Sequence, residues 1–397
     1  MKFGLLSYDY TVNVGNEIQS IAARRFLPKV DYYIDHEKIE SFDEDTDVKL
    51  IMNGWYLDCQ KAWPPSENID PLLVSMHFTN ERDFKRAPLL TEESREFFSK
   101  NGPVGCRDFH TLNFLENYDI DAYYSGCLTL TLDSGSKKRE KDEDYDYIVI
   151  NAESHEKILS FLKDKTDKKI FVVSQIAPPS FEKAYPETMP MGINTVTSLY
   201  NHEEKFFMAE SFLHLYENAS CVITDRLHCA LPCLALKTPV LEINNGLSHE
   251  RFDGLKELMR ETTLENYMNN YSMFDVDNPP ENSKNYLKIR KNLIKTCEKF
   301  TGCINDSCYS DISYQKLMEG NLMMFSKNNI KTRKYISSIV RRYKNDMKKS
   351  KKQIKSQKNK INELNGIIKE QERIINEMKS SNSWKVTAPL RKIRNNK

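Results

Sequence analysis

The stretch Cys221 to Leu236, CVITDRLHCALPCLAL, places an arginine and a histidine two positions apart where an apolar strand-like run gives way to a helical one. Arg226 and His228 at such a place suit an anion. A helix N-terminus offers unpaired backbone N–H groups and the positive end of its dipole, and an arginine adds a fixed charge with paired donors. Thr224 and Asp225 are both acceptable N-caps, so the first turn is expected to carry Arg226, Leu227 and His228. Arginine there opposes the dipole and gains from an anion beside it. A histidine gives and takes protons near neutral pH, the property of a general acid and base. The plainer reading of the same residues is a surface turn in which Arg226 pairs with Asp225.

A second arginine stands in an equivalent context. In GPVGCRDFHTLNFL, Gly102-Pro103 turns the chain, Val104 to Cys106 reads as a short strand, and Arg107-Asp108 follows it before a helix carrying Leu112 and Leu115. In TVNVGNEIQS, Asn13, Gly15 and Asn16 form a turn that opens a helix at Glu17, either as a ligand contact or as a plain connection. No His/Asp/Glu/Cys group has metal-ligand spacing, and Cys297, Cys303 and Cys308 lack the paired spacing of a zinc site, so no metal is expected.

These residues need strands and helices to bring them together. Lys2 to Ser7 reads as a strand and Glu17 to Phe26 as the helix after it. Strand-like runs follow at Lys49 to Met52, Leu72 to His77, Val104 to Cys106 and Ala122 to Tyr124, with helices at Glu92 to Ser99 and Asp108 to Glu116. The run DSGSKKREKDEDYD, Asp133 to Asp146, cannot cover a core and reads as a linker. Strands then resume at Tyr147 to Asn151, Ile170 to Ser174, Cys221 to Thr224 and Val240 to Ile243, with helices near Ser154 to Lys163, Glu204 to Tyr216, Leu227 to Leu236 and Lys288 to Phe300. Such alternation means parallel sheets. The expected fold class is α/β, two Rossmann-like doubly wound domains over residues 1–133 and 147–300, joined by a charged linker at 134–146, with a ligand cleft at the strands' C-terminal ends.

Residues 301–330 form a connector, and beyond it the pattern changes. Val340, Met347, Ile354, Ile361, Ile368 and Ile375 recur every seven residues, with Leu364 and Met378 at matching d places, which predicts a C-terminal coiled-coil helix over 331–380 and a homo-oligomer through it. Polar Ser350, Gln357 and Gln371 at d, and Gly366, weaken that seam; the alternative is one solvated helix. The tail 381–397 interleaves Trp384, Val386, Leu390 and Ile393 with Lys385, Arg391, Lys392, Arg394 and Lys397, which suits peripheral contact with an anionic membrane or a disordered basic tail. Trp55 and Trp63, in NGWYLDCQKAWPP, could stack on a sugar or lie in the core.

Composition bounds the rest. A chain of 397 residues, 39% hydrophobic, has room for two cores and a cleft. A net charge of +1 supplies no field for nucleic acid. Nine cysteines scattered through apolar runs read as buried thiols of a reducing compartment, and the start MKFGLLSYDY has too short an apolar run for a secretory signal, so a cytoplasmic location is expected.

Three segments, NVGNEIQ, GPVGCRD followed by SGCLTLTL, and TDRLHCALPCLALKTPVLEI, together resemble the polysaccharide pyruvyl transferase family over roughly residues 1–300. The tail phrase SNSWKVTAPLRKI is similar to tails that follow coiled coils in bacterial polysaccharide-assembly enzymes. The resemblance implies a GT-B-like arrangement and transfer of a pyruvyl group from phosphoenolpyruvate onto two sugar hydroxyls as a ketal, in surface or capsular polysaccharide synthesis, with a saccharide acceptor that could be lipid-linked. Phosphoenolpyruvate is a co-substrate in that chemistry, and no cofactor is implied. On matching residues, Arg107 and Arg226 would hold the donor's phosphate and carboxylate, Leu227 would supply a backbone N–H, and His228 would be the acid and base, with Asn13, Gly15 and Asn16 beside the donor. The family often has aspartate where this chain has Asn16, which leaves Glu17, Asp108 and Asp225 as candidate carboxylates. The alternatives are a GT-B glycosyltransferase using a nucleotide sugar and a non-catalytic coiled-coil scaffold.

Overall fold

Apolar runs without a polar face become strands covered on both sides, and the intervening amphipathic runs become the helices that cover them. A computed structural model of the chain describes residues 1–9, 13–56, 63–78, 91–135, 146–175, 201–244, 250–308, 351–358, 360–362 and 364–382. In the first half β1 (Lys2–Ser7), α1 (Gly15–Arg24), β2 (Tyr32–Asp35), β3 (Val48–Ile51) and β4 (Gly54–Tyr56) come first. They are followed by β5 (Ile69–Leu72), β6 (Met76–Phe78), α2 (Glu92–Asn101), β7 (Val104–Cys106), α3 (Phe109–Glu116) and β8 (Ala122–Tyr124). Two parallel sheets result, in the orders β2-β1-β3-β5 and β4-β6-β7-β8. The second half contains β9 (Tyr147–Asn151), α4 (His155–Leu162), β10 (Lys169–Val172), α5 (His202–Asn218), β11 (Cys221–Thr224) and α6 (Leu227–Leu236). After these come β12 (Val240–Ile243), β13 (Arg260–Thr262), α7 (Leu264–Asn269) and α8 (Leu287–Thr301). Its parallel sheet runs β10-β9-β11-β12-β13. Counted from its own first strand this is the doubly wound order 2-1-3-4-5, whose direction of winding reverses between β9 and β11 and opens a crevice at their C-terminal ends.

Leu72 to His77, expected as one strand, is two. Ser75 at φ 55° breaks the run, and its hydroxyl donates to the Gly126 carbonyl at 2.7 Å while its N–H donates to Ser125 Oγ at 3.0 Å. The break shifts the chain from the edge of the first sheet to an inner position of the next, and Pro71 is tolerated because it lies on that edge. β2, β4 and β13 give no strand signal in the sequence because each is only three or four residues long.

One contiguous set of buried apolar side chains joins the halves: Ile18, Ile21 and Ala22 of α1 meet Ala209, Phe212 and Leu213 of α5 and Leu227, Leu231 and Leu234 of α6. Polar clamps reinforce this. Arg25 donates to the Thr131 carbonyl at 2.5 Å, and Arg290 of α8 donates to the Leu130 and Leu132 carbonyls at 2.6 and 2.8 Å and to Asp133 at 2.7 Å. Two guanidinium groups therefore fix the exit of the first half. The interior of the expected 134–146 linker, residues 136–145, lies outside the described residues, as do most of the expected connector and the expected coiled coil before residue 351.

Residues 332–397 form a second compact unit. It is helical at 351–358, 360–362 and 364–380, with exposed Ile354, Ile361, Leu364, Ile368, Ile375 and Met378. The basic tail beyond residue 382 lies outside the described residues. No helix among the described residues is long and apolar enough to cross a membrane.

Candidate active site

Pro232 shapes the start of α6. Its ring nitrogen cannot donate to the carbonyl four residues earlier, which belongs to His228. That carbonyl is taken instead by the Gln175 side-chain amide at 2.8 Å, and His228 sits at φ −83°, ψ 22°, off the helical values. Gln175 also accepts the Val14 N–H on its own carbonyl at 2.9 Å, so a single buried glutamine ties the turn before α1 to the first turn of α6. The turn itself is closed by Asn13, whose side chain accepts the Gly15 N–H at 2.9 Å and whose carbonyl accepts the Asn16 N–H at 3.1 Å. A Cβ on Gly15 would lie 3.1 Å from His228 Cβ and 3.2 Å from Nδ1, closer than side chains ordinarily pack, so glycine is what lets the imidazole seat there. Sequence reading passed over Gln175, although proline four residues after a candidate histidine is a usable signal that a carbonyl has been freed.

Helix α6 begins one residue later than the expected caps. Arg226 occupies the N-cap position, and Thr224 Oγ1 accepts the Arg226 N–H at 3.0 Å. The Arg226 side chain, 24% exposed, pairs with Glu153 at 2.8 Å and with Asp225 at 3.0 Å. Asp225 in turn accepts the Glu153 N–H at 2.8 Å. These groups sit at the crevice between β9 and β11, where the order of the sheet reverses.

The other arginine is placed differently. Arg107 is 0% exposed at the end of β7, its Nε lies 3.4 Å from Asp108 Oδ2, and its Nη1 and Nη2 have no hydrogen-bond partner among the described residues. Asp108 is fully engaged. Its Oδ1 caps α3 by accepting the Thr111 N–H at 2.9 Å and the Thr111 hydroxyl at 2.7 Å, and its Oδ2 lies 2.7 Å from His77 Nδ1. Burial alone would raise the Asp108 pKa, but the hydrogen bond and charge of His77 and the charge of Arg107 hold it at about 2. The carboxylate is therefore a fixed anchor with no spare oxygen.

His77 and His228 are both held neutral. Burial first, then the Arg107 charge, bring His77 down to about 4 against the pull of Asp108. Burial first, then the charges of Arg107 and Arg251, keep His228 well below the ordinary histidine value. His228 is 6% exposed, and its Nε2 has no hydrogen-bond partner among the described residues. Arg251 stacks over Trp55 at 4.3 Å from the ring centroid, and Trp55 lies 6.1 Å edge-on from His77. Trp63, by contrast, is buried among Tyr56, Phe78, Phe97 and Phe98, so it is core and no platform for a sugar.

Arg107, His228, Gly15 and the His77–Asp108 pair thus meet at the C-terminal ends of strands from both halves, with Arg251 adding charge from beyond β12. Arg226 is in the neighbouring crevice, engaged by carboxylates. His77 and Arg251 had no sequence signal: one sits inside an apolar run and the other in a segment without periodicity. Glu17 is buried on α1, 4.0 Å from Lys205, and burial raises its carboxyl to about 8 against the lysine's charge.

The neutral histidines fix the sign of one pH effect. His77 folded binds fewer protons than His77 unfolded between about 4 and 6.5, so its contribution to stability is whole above 6.5 and falls as pH drops toward 4. The shift corresponds to ~3 kcal/mol at full loss. Urea midpoints of the wild type should fall steeply between pH 6.5 and 4.5, and His77→Gln should flatten that slope; equal slopes would mean His77 is not held neutral by the fold.

A family model described as polysaccharide pyruvyl transferase matches residues 13–246. General stress protein 30 of Bacillus subtilis (strain 168) is 23% identical over 286 residues, covering 64% of this chain and 78% of that protein. A putative UDP-N-acetylglucosamine 2-epimerase from Listeria monocytogenes superposes with a TM-score of 0.41 at 11% identity, covering 78% of this chain and 100% of its own. The UDP-GlcNAc 2-epimerase of Methanocaldococcus jannaschii in complex with UDP-GlcNAc and UDP gives 0.38 at 12% identity, covering 74% of this chain and 98% of its own. Because the family match takes in more than half of the chain, from the turn at Asn13 through Arg107 and Asp108 to His228, this chain belongs to the polysaccharide pyruvyl transferase family.

Proposed function

We propose that the chain transfers a pyruvyl group from phosphoenolpyruvate to two hydroxyls of one sugar residue, forming a ketal and releasing phosphate, in the synthesis of a bacterial surface or capsular polysaccharide. The observation that carries the reading is Arg107, a fully buried guanidinium whose Nη1 and Nη2 have no hydrogen-bond partner among the described residues, beside a neutral histidine. A buried guanidinium offset only by a carboxylate at 3.4 Å keeps part of its desolvation cost, and an anion with oxygens spaced for two parallel N–H donors lowers it. Phosphoenolpyruvate carries two such groups. Arg107 would take one, and Arg226 the other once the donor competes with Glu153 for it. The Leu227 N–H and the Asn13-Gly15-Asn16 turn lie beside His228 and would line the donor.

In this scheme the first acceptor hydroxyl adds across the donor's double bond. Its oxygen bonds the phosphate-bearing carbon, and its proton passes through His228 Nε2 to the methylene carbon, which becomes a methyl group. The bond to the phosphate oxygen then breaks, the second hydroxyl closes the ketal, and its proton leaves with phosphate. His228 begins neutral and so can accept; the trianionic donor raises its pKa and helps it hold the proton in transit. Asp108 acts as a positioning group through Arg107 and His77. Phosphoenolpyruvate serves as a co-substrate, and this route calls on no metal or cofactor.

Calorimetric titration with phosphoenolpyruvate and with nucleotide sugars, followed by acceptor assays for phosphate release, tests the reading. The expected result is saturable phosphoenolpyruvate binding and a new ketal methyl signal in the NMR spectrum of the product. Binding of a nucleotide sugar in its place would transfer the site to a glycosyltransferase, and binding of neither would favour a scaffold.

A further inference from the structure

The helical residues 351–358, 360–362 and 364–380 expose an apolar stripe of a kind that isolated helices in water rarely keep. Ile354, Ile361, Leu364, Ile368, Ile375 and Met378 are 47–63% exposed, and Ile367 and Ile374 flank them at 50% and 44%. They repeat at coiled-coil spacing, with 354, 361, 368 and 375 at a and 357, 364, 371 and 378 at d.

We propose that this stripe docks on the same stripe of a second copy of the chain, antiparallel, with the two-fold axis at Gly366. The charge of each segment and the order of apolar residues together point to the partner and the direction. Residues 351–360 carry Lys351, Lys352, Lys355, Lys358 and Lys360 and no acid, whereas residues 361–380 carry Glu363, Glu370, Glu372 and Glu377 against Lys369, Arg373 and Lys379. Parallel pairing lays the lysine segment against itself, and like charges across a seam are repulsive. Antiparallel pairing lays it along the acid-bearing segment. The apolar pattern reads the same in reverse about residue 366: Ile354 meets Met378, Gln357 meets Ile375, Ile361 meets Gln371 and Leu364 meets Ile368. Each glutamine then faces an isoleucine and no glutamine faces another. At the flanking e places Lys358 of one copy lies beside Glu372 of the other, twice by symmetry, and Asn365 lies beside its own symmetry mate, while the like-charged Lys351 and Lys379 meet only at the two ends of the pairing. In a parallel pair the flanking contacts would be Gln353–Lys358, Lys360–Asn365, Ile367–Glu372 and Ile374–Lys379, none of them oppositely charged. The proposal does not rest on the chemistry of the active site.

Single-cysteine crosslinking of the full chain, with the crosslinked peptides identified by mass spectrometry, reads the geometry. At 1.5 Å per residue the two copies of position 378 are ~36 Å apart in the antiparallel register, and the two copies of position 365 are ~3 Å apart along the axis. Asn365→Cys should therefore crosslink to itself and Met378→Cys should not; the reverse result overturns the proposal. Sedimentation of the full chain should show a dimer that Leu364→Glu dissociates. Lys358→Glu should raise the dissociation constant at least tenfold, and Lys358→Glu combined with Glu372→Lys should restore it, which parallel pairing does not predict. A wild-type monomer at tens of micromolar, or no restoration by the double exchange, would also overturn it.

Discussion

Arg107→Met is expected to leave the melting temperature of the free protein unchanged or raised while turnover on phosphoenolpyruvate falls ~10²–10⁴-fold, from two charge-assisted hydrogen bonds of ~1.5–3 kcal/mol each at ~1.4 kcal/mol per decade. The two halves of this result have one cause. Arg107 is fully buried, and Nη1 and Nη2 find no partner among the described residues, so the free protein carries the desolvation of a charge that only Asp108 offsets, at 3.4 Å. Methionine fills much of the same space without a charge, and Asp108 keeps His77 and both contacts from Thr111. Stability gained where function is lost is the usual mark of a group held for a ligand. Thermal melts and donor titrations on the same preparation check it. A melting temperature lowered by several degrees with donor affinity intact would make Arg107 a structural residue and move the donor site elsewhere.

His228→Gln should separate binding from chemistry. Donor affinity is expected to stay within roughly threefold of wild type while kcat falls ~10²–10⁴-fold, the usual contribution of a positioned acid or base. The substitution is mild for the fold because Gln175 grips the main-chain carbonyl at position 228, which any residue supplies. The glutamine amide still reaches toward the donor but neither accepts nor returns a proton at neutral pH. The ratio of kcat to donor dissociation constant, measured with wild type alongside, decides the matter. A loss confined to donor affinity would make His228 a binding group and leave the proton to His77 or Glu17, both of them buried and titratable.

Much of this site could be read along the chain because it is built from local transitions. A strand ending at Thr224 or Cys106 and a helix starting within three residues put Arg226, His228, Arg107 and Asp108 at strand C-termini by chain geometry alone, and the glycine turn at Asn13 to Asn16 is equally local. Strands covered on both faces, such as β1, β7, β9 and β11, are apolar through their interiors and were legible to the residue. The heptad stripe was legible for the same reason: periodicity is a property of the sequence before it is one of the fold.

What the sequence could not hold was the sorting of equivalent-looking residues. Arg107 and Arg226 share a context, yet one is sealed with two donors unmet among the described residues and the other is held by Glu153, a partner 73 residues away in the chain. The pairing of His77 with Asp108 spans 31 residues and that of Gln175 with His228 spans 53. Burial, and with it the neutrality of both histidines, is set by which helices cover the ends of the strands, and that depends on packing between the two halves. Local propensity places a side chain on an element; only the assembled core decides whether that side chain meets a counter-charge, and so whether it is a structural pair or a group left for a ligand.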